Sequence, residues 1–447
     1  MNNDTISAQA AHYKPTINIA QAPPLAGPAL FLISAWISLV VAATRILTNP
    51  QQWQTSHLGS SPTLVTVHLV TLGFFTMTML GTLYQWVPVV FDRPPVPLKM
   101  IVFHWFLYTT GLILFLLGFS LHQGMLLATG ASLLAVSLIM FSLLIAKRLI
   151  QSSRKTDMLS FSLTVALAAL NATWIFGLSM ALGMAKITAY PNVLSEHLNT
   201  AWAGWIVMLV LAVQIKLLPM FSMSRMDPLR PGLPVALAFS GLLVQYAVSV
   251  LPGLEVVAVF FWAWASLSVL WQLHRLWHHR QTPHRDGVFA GVVLGWLLWL
   301  GAVLSLLFQP ELTVFLVGLG AMTFIFSYQS RIIPFLLALF VGRKLPGPVF
   351  KTFFMAQRFN SPVLPVITAI WSLVISVLWV IGIENQAPGV LAWAGALLLL
   401  WPVFHVLFMA KAVLSAAKTR PSPQGTPEAS PSETPDISNE RPNQDHE

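Results

Sequence analysis

Two histidines, His68 and His197, open matching apolar segments, and a glutamine follows each of them seventeen residues later, Gln85 in one and Gln214 in the other. Leu69 matches Leu198, Thr71 matches Thr200 and Met79 matches Met208. A third copy is degenerate. It ends YQSRIIP, with Gln329 and Pro334, but the residue seventeen before Gln329 is Leu312. An imidazole inside an apolar helix must be paired or ligated, and imidazole is the usual axial ligand of haem iron and also suits copper. Two rings at one depth on related helices could face a shared pocket. The alternative is a ring in the headgroup layer, hydrogen-bonded to a loop carbonyl or to water. His57, in the loop before the first copy, is a third candidate metal ligand.

The elements that must position these residues follow from composition. The chain is 56% hydrophobic and only 9% charged, too little charge to keep a soluble surface of this size wet. Each spanning helix needs roughly 20 apolar residues, and twelve such runs can be read. They are Pro24–Leu47, Thr63–Phe91, Leu98–Leu121, Gly124–Leu149, Met158–Ala185, Leu194–Phe221, Gly232–Leu251, Leu254–Leu276, Gly287–Phe308, Glu311–Phe340, Pro362–Ile383 and Gly389–Leu414. The runs are continuous and do not alternate, which disfavours a membrane β-barrel. The expected fold is an all-α polytopic membrane domain over 23–417, between a polar cytoplasmic arm (1–22) and a disordered tail (418–447) rich in Pro, Ser, Glu and Asn.

Basic residues set the orientation. Arg93 and Lys99 follow the second span, and Lys147, Arg148, Arg154 and Lys155 follow the fourth. Arg225 and Arg230 follow the sixth, Arg275, Arg280 and Arg285 the eighth, and Arg343, Lys344, Lys351 and Arg358 the tenth. The intervening loops are nearly free of Lys and Arg, with Lys186 the exception, and carry Glu196, Glu255, Glu311 and Glu384 at or near them. Basic loops stay cytoplasmic, which predicts cytoplasmic termini in a bacterial inner membrane. The net charge of +9 is then a topology signal and no sign of nucleic-acid binding. His68 and His197 fall just below the outer surface, and the glutamines about 25 Å away near the inner one. No single site can include both.

Other polar residues read more simply. Asn171 should bond a neighbouring helix and His405 should be a packing contact. His274, His278, His279 and His284 lie in WQLHRLWHHRQTPHRD, an interfacial anchor by its Trp271, Trp277 and arginines, with a metal-binding tract as the other reading. Lys216 and Arg331 can snorkel to the inner interface. Gly73, Gly81, Gly318 and Gly320 would allow close helix approach, and Gly73 and Gly81 could instead make room for a flat cofactor. The chain has no cysteine, which excludes disulfides and thiolate metal sites.

Twelve spans, cytoplasmic termini and a four-helix period resemble the haem–copper oxidase subunit I superfamily. HLVTLGF and LYQWVPV look like the second helix of small oxidase-like members, and of the NnrS family of haem- and copper-containing membrane proteins linked to nitric oxide response. The resemblance implies a pseudo-threefold arrangement of three four-helix units. It assigns His68 to the helix-two haem ligand and His197 to the helix-six histidine, with haem b or copper as cofactor. It also implies a redox, nitric oxide-response or respiratory-accessory role, with a respiratory complex as a partner. The chain departs from the oxidases where Glu311–Phe340 and Gly232–Leu251 contain no histidine and HLNTAW lacks the expected tyrosine. The oxygen-reducing centre therefore cannot be built, and neither a terminal oxidase nor a nitric oxide reductase is expected. The competing class is a secondary transporter of a small solute, since twelve spans are common there too.

Overall fold

Inside hydrocarbon a backbone can satisfy its N–H and C=O groups only within its own helix or a closed barrel, so each long apolar run here becomes a helix. The computed structural model describes residues 21, 23–53, 59–152, 157–222, 232–248, 251, 253–279, 287–342 and 363–418. Among them every regular element is helical. We number the helices α1 (Ala26–Thr48), α2 (Ser61–Phe91), α3 (Leu98–Ser120), α4 (Gly124–Gln151), α5 (Met158–Met184) and α6, which runs through Leu194–Asn199, Thr200–Val207 and Met208–Ser222. Then follow α7 (Gly232–Val248), α8 (Glu255–His278), α9 (Val288–Ser305), α10 (Pro310–Gly342), α11 (Leu364–Glu384) and α12 (Pro388–Lys418). Eleven are long and apolar enough to cross a membrane. The exception is α7, described over 17 residues, where the sequence leads one to expect Gly232–Leu251. The chain is a multi-pass helical membrane protein. The proposed arm and tail, His57, His284 and most of the basic loop residues lie outside the described residues.

The packing repeats every four helices. α2 lies against α1, α3 and α4; α6 against α5, α7 and α8; α10 against α9, α11 and α12. Around these three the other nine close a ring, with α4 touching α5, α8 touching α9 and α12 returning to α1. Burial follows the same division: α2, α6 and α10 bury 67, 78 and 78% of their apolar windows, against 56% or less in the other long spans. The ring turns Ile33, Phe106, Leu143, Ile370 and Leu407 outward, the surface a spanning bundle offers to lipid.

Small residues decide how closely neighbours approach. At Gly130 of α4 an added Cβ would collide with the Phe115 backbone of α3, and at Gly118 of α3 with that of Leu127. Gly73 and Gly81 are likewise filled by α1, through Ser38 Cβ at 2.6 Å and Phe31 Cβ at 2.9 Å. Both are positions of close helix approach to α1. Gly318 departs from expectation, since nothing stands within 4 Å of its Cβ position. Gly130→Ala should therefore lower stability by about 1–3 kcal/mol, because backbone must move. Gly318→Ala should be neutral or stabilising by up to about 1 kcal/mol through helix propensity. Thermal unfolding of the two variants in one detergent checks the contrast.

Candidate functional site

The two histidine-bearing inner helices share a backbone feature. Past His68, α2 widens into π-helix over Leu69–Thr76, and past His197, α6 does the same over Thr200–Val207. α10 runs as unbroken α-helix over Pro310–Gly342. The copy without a histidine thus also lacks the wide turn. Such turns recur at functional sites, and here hydroxyls bond carbonyls in or beside them where no water competes. Thr76 Oγ1 donates to Thr71 O, five residues back, at 2.8 Å. Tyr108 of α3 donates to Leu72 O at 3.0 Å, and Ser162 of α5 to Met208 O at 2.7 Å. A glycine occupies the fifth position of each wide segment: Gly73 lies against Ser38, and Gly204 against Ala169 of α5.

This geometry corrects the repeat register. The histidines and glutamines align two residues out of step with the wide segments, which pair Gly73 with Gly204, Met77 with Met208 and Pro88 with Pro219. In the proline register, extended to Pro334, Gln214 matches Gln329, whereas Gln85 matches Lys216 and Arg331. His68 and His197 are therefore not strict structural equivalents, and their rings are held differently.

His68 Nδ1 lies 2.8 Å from Leu64 O of its own helix. Phe115 meets its ring edge-on at 5.0 Å and Phe119 stacks at 5.7 Å. His197 Nδ1 lies 3.0 Å from Thr173 O of α5, with the ring over Gly177, whose Cβ position is 3.0 Å from Cε1. A carbonyl can only accept, so Nδ1 carries the proton in both rings, and a neutral ring then has a bare Nε2. That is the tautomer a metal-ligating imidazole uses. Both residues are half-buried. Phe75 and Trp202, from the two wide segments, meet at 6.0 Å. Among the described residues no group of three or more His, Asp or Glu side chains could hold a metal. Any site here consists of two imidazoles, unless His57 adds a third.

The glutamines belong to a different region. Gln214 Oε1 accepts from Trp296 Nε1 at 3.1 Å. Gln85 and Gln329 line a small cavity of about 50 Å³, partly open to its surroundings, between α1, α2, α6 and α10. Among the described residues Gln85 Oε1, both amide atoms of Gln329 and Trp86 Nε1 are buried without a partner, and all three residues line this cavity. The other polar residues are structural. His104 pairs with Tyr84 OH at 2.8 Å, His405 Nε2 with Thr368 Oγ1 at 3.2 Å, and Asn171 donates to Ser142 of α4 at 3.0 Å, as expected of it.

Sequence reading missed Thr173, Gly177, Phe115 and Phe119, which hold the rings, and the hydroxyls of Tyr108 and Ser162. The recurrence of Gly73 and Gly204 at one distance before Pro88 and Pro219 was the available signal. Tyr108→Phe removes a donor from Leu72 O within one wide segment and Ser162→Ala removes one from Met208 O just past the other, and each should cost about 0.5–2 kcal/mol of stability. Denaturant unfolding in detergent measures it. No protein-family model matches the chain, and no curated protein matches it either.

Proposed function

We propose that the chain is a membrane metalloprotein in which His68 and His197 hold one metal, haem iron or copper. Its role would be redox, nitric oxide-response or respiratory-accessory, in a bacterial inner membrane with the histidine end outward. One observation carries this reading: two half-buried imidazoles, one near the start of each wide-turned helix, have Nδ1 at 2.8 and 3.0 Å from a backbone carbonyl, which leaves both Nε2 atoms bare. The residues suit ligation by two neutral nitrogens. They do not suit a binuclear oxidase centre, for α7 and α10 supply no histidine. Leu64 and Thr173 fix the tautomer, Phe115 and Phe119 wall the His68 ring from lipid, and Gly177 seats the His197 ring. A metal bound there would supply one-electron chemistry or a position for a small diatomic ligand.

Elemental analysis and a reduced-minus-oxidised spectrum of the purified protein test the proposal. Metal should be present near one equivalent and be lost in His68→Ala and in His197→Ala. Gly177→Val, which pushes the His197 ring aside, should weaken retention without unfolding the protein. His122→Asn is the control, since His122 is exposed and its φ of 55° suits asparagine. Metal content unchanged in both histidine variants overturns the reading.

A second reading, transport of a small solute, is favoured by the cavity at Gln85 and Gln329. Among the described residues no charged side chain lines it, while its unpartnered atoms include both donors and acceptors, so the solute would be uncharged. The natural lack of cysteine permits a clean test. A single cysteine replacing Thr82, which lines the cavity, should react with a water-soluble thiol reagent and be protected by transported solute. A cysteine replacing Ile37, on the lipid-facing surface, should not react. An inert Thr82→Cys variant contradicts this reading and leaves the metal proposal standing.

A further inference from the structure

The last turns of α8 carry an arrangement that neither reading uses. His274 and His278 stand one helical turn apart on the exposed side of α8, while Gln272, Leu273 and Leu276 face the bundle. Their ring centres are 4.4 Å apart with the planes at 63°. Both rings are exposed, and neither takes part in a hydrogen bond among the described residues. Arg275, between them in sequence, is drawn over the Trp271 ring at 4.9 Å.

We propose that His274 and His278 form a two-imidazole chelate for a divalent transition-metal ion, with copper(II) as the best fit. Residues four apart on a helix share a face, so one ion can bridge them without moving the backbone. With metal–nitrogen bonds of about 2.0–2.1 Å, each ring centre stands roughly 3.2 Å from a shared ion. Centres 4.4 Å apart then subtend about a right angle, the separation of neighbouring ligands in tetragonal or octahedral coordination. A tetrahedral ion such as zinc would need the rings further apart. The affinity order of the divalent ions also peaks at copper. The helix end helps, because the C-terminal carbonyls of α8 present negative charge to a cation. Water completes the coordination. The site lies at the opposite end of the bundle from His68 and His197, and its existence does not depend on any metal between them.

Copper(II) titration of the full chain in detergent, followed by electron paramagnetic resonance, tests the proposal. The background carries His68→Ala and His197→Ala, so that failure here and failure of the inner pair are read separately. One copper should bind with a tetragonal spectrum split by imidazole nitrogens. His274→Ala and His278→Ala should each weaken binding by at least tenfold, since losing even a ligand's supporting partner costs about 10- to 100-fold. His279→Ala should leave binding nearly unchanged, and copper should be retained more tightly than zinc. Because a protonated imidazole has no lone pair to give, binding should be lost on acidification. Equal effects of all three alanine variants mean diffuse collection by the tract and overturn the chelate. Unchanged affinity in His274→Ala and His278→Ala overturns it as well. All three side chains are exposed, so folding should survive each change, and the unchanged melting temperature of each variant verifies that.

Discussion

Every carbonyl inside a membrane needs a donor from within the protein, and this constraint governs the centre of the molecule. Along the wide turns of α2 and α6 hydroxyls add to the backbone bonding, from within α2 and from α3 and α5. Those bonds tie each histidine-bearing turn to a particular neighbour. They limit how α2 and α6 can rotate or slide, and so they decide where the imidazoles point. The rings themselves extend the pattern, for each spends its one N–H on a carbonyl, at Leu64 or Thr173. Further along, Pro88, Pro219 and Pro334 each withhold an N–H from their own helix. All three inner helices thus carry a proline toward one end, and two of them a wide segment toward the other.

The threefold scaffold explains why the interruptions meet. Each inner helix rests on three ring helices in the same order, so features at one depth of α2 and α6 are brought side by side. The third copy shows what the scaffold needs and what it does not. α10 keeps the glutamine and the proline but has Leu312 in place of a histidine, and it continues as regular helix. Histidine and wide turn are present together in α2 and α6 and absent together in α10, which packs against α9, α11 and α12 all the same. The wide turn is therefore not needed for the packing of the bundle.

Much of this was readable in the sequence. Length and apolarity located the twelve helices, because hydrocarbon thickness leaves little choice. Asn171 and His405 were read correctly as helix-to-helix contacts for a similar reason, since a buried polar group must pair. The site was readable only in part. His68 and His197 stand out as types, but no local pattern announces that His197 turns to Thr173, twenty-four residues away on another helix. His68 stands one residue before its wide segment and His197 three before its own, which is why the histidine-to-histidine alignment ran two residues out of step with the backbone. The glycines teach the same lesson. Gly73 and Gly318 look alike in sequence, yet Ser38 crowds one and nothing crowds the other.

The central claim is that two imidazoles, one from each wide-turned helix, bind a single metal. X-ray absorption at the edge of whichever metal accompanies the purified protein counts those ligands directly. The account predicts two imidazole nitrogens at about 2.0 Å, with their outer-ring scattering, and the loss of both in the protein carrying His68→Ala and His197→Ala. A metal shell without imidazole, a spectrum that survives the double substitution, or a protein that carries no metal at all would contradict it.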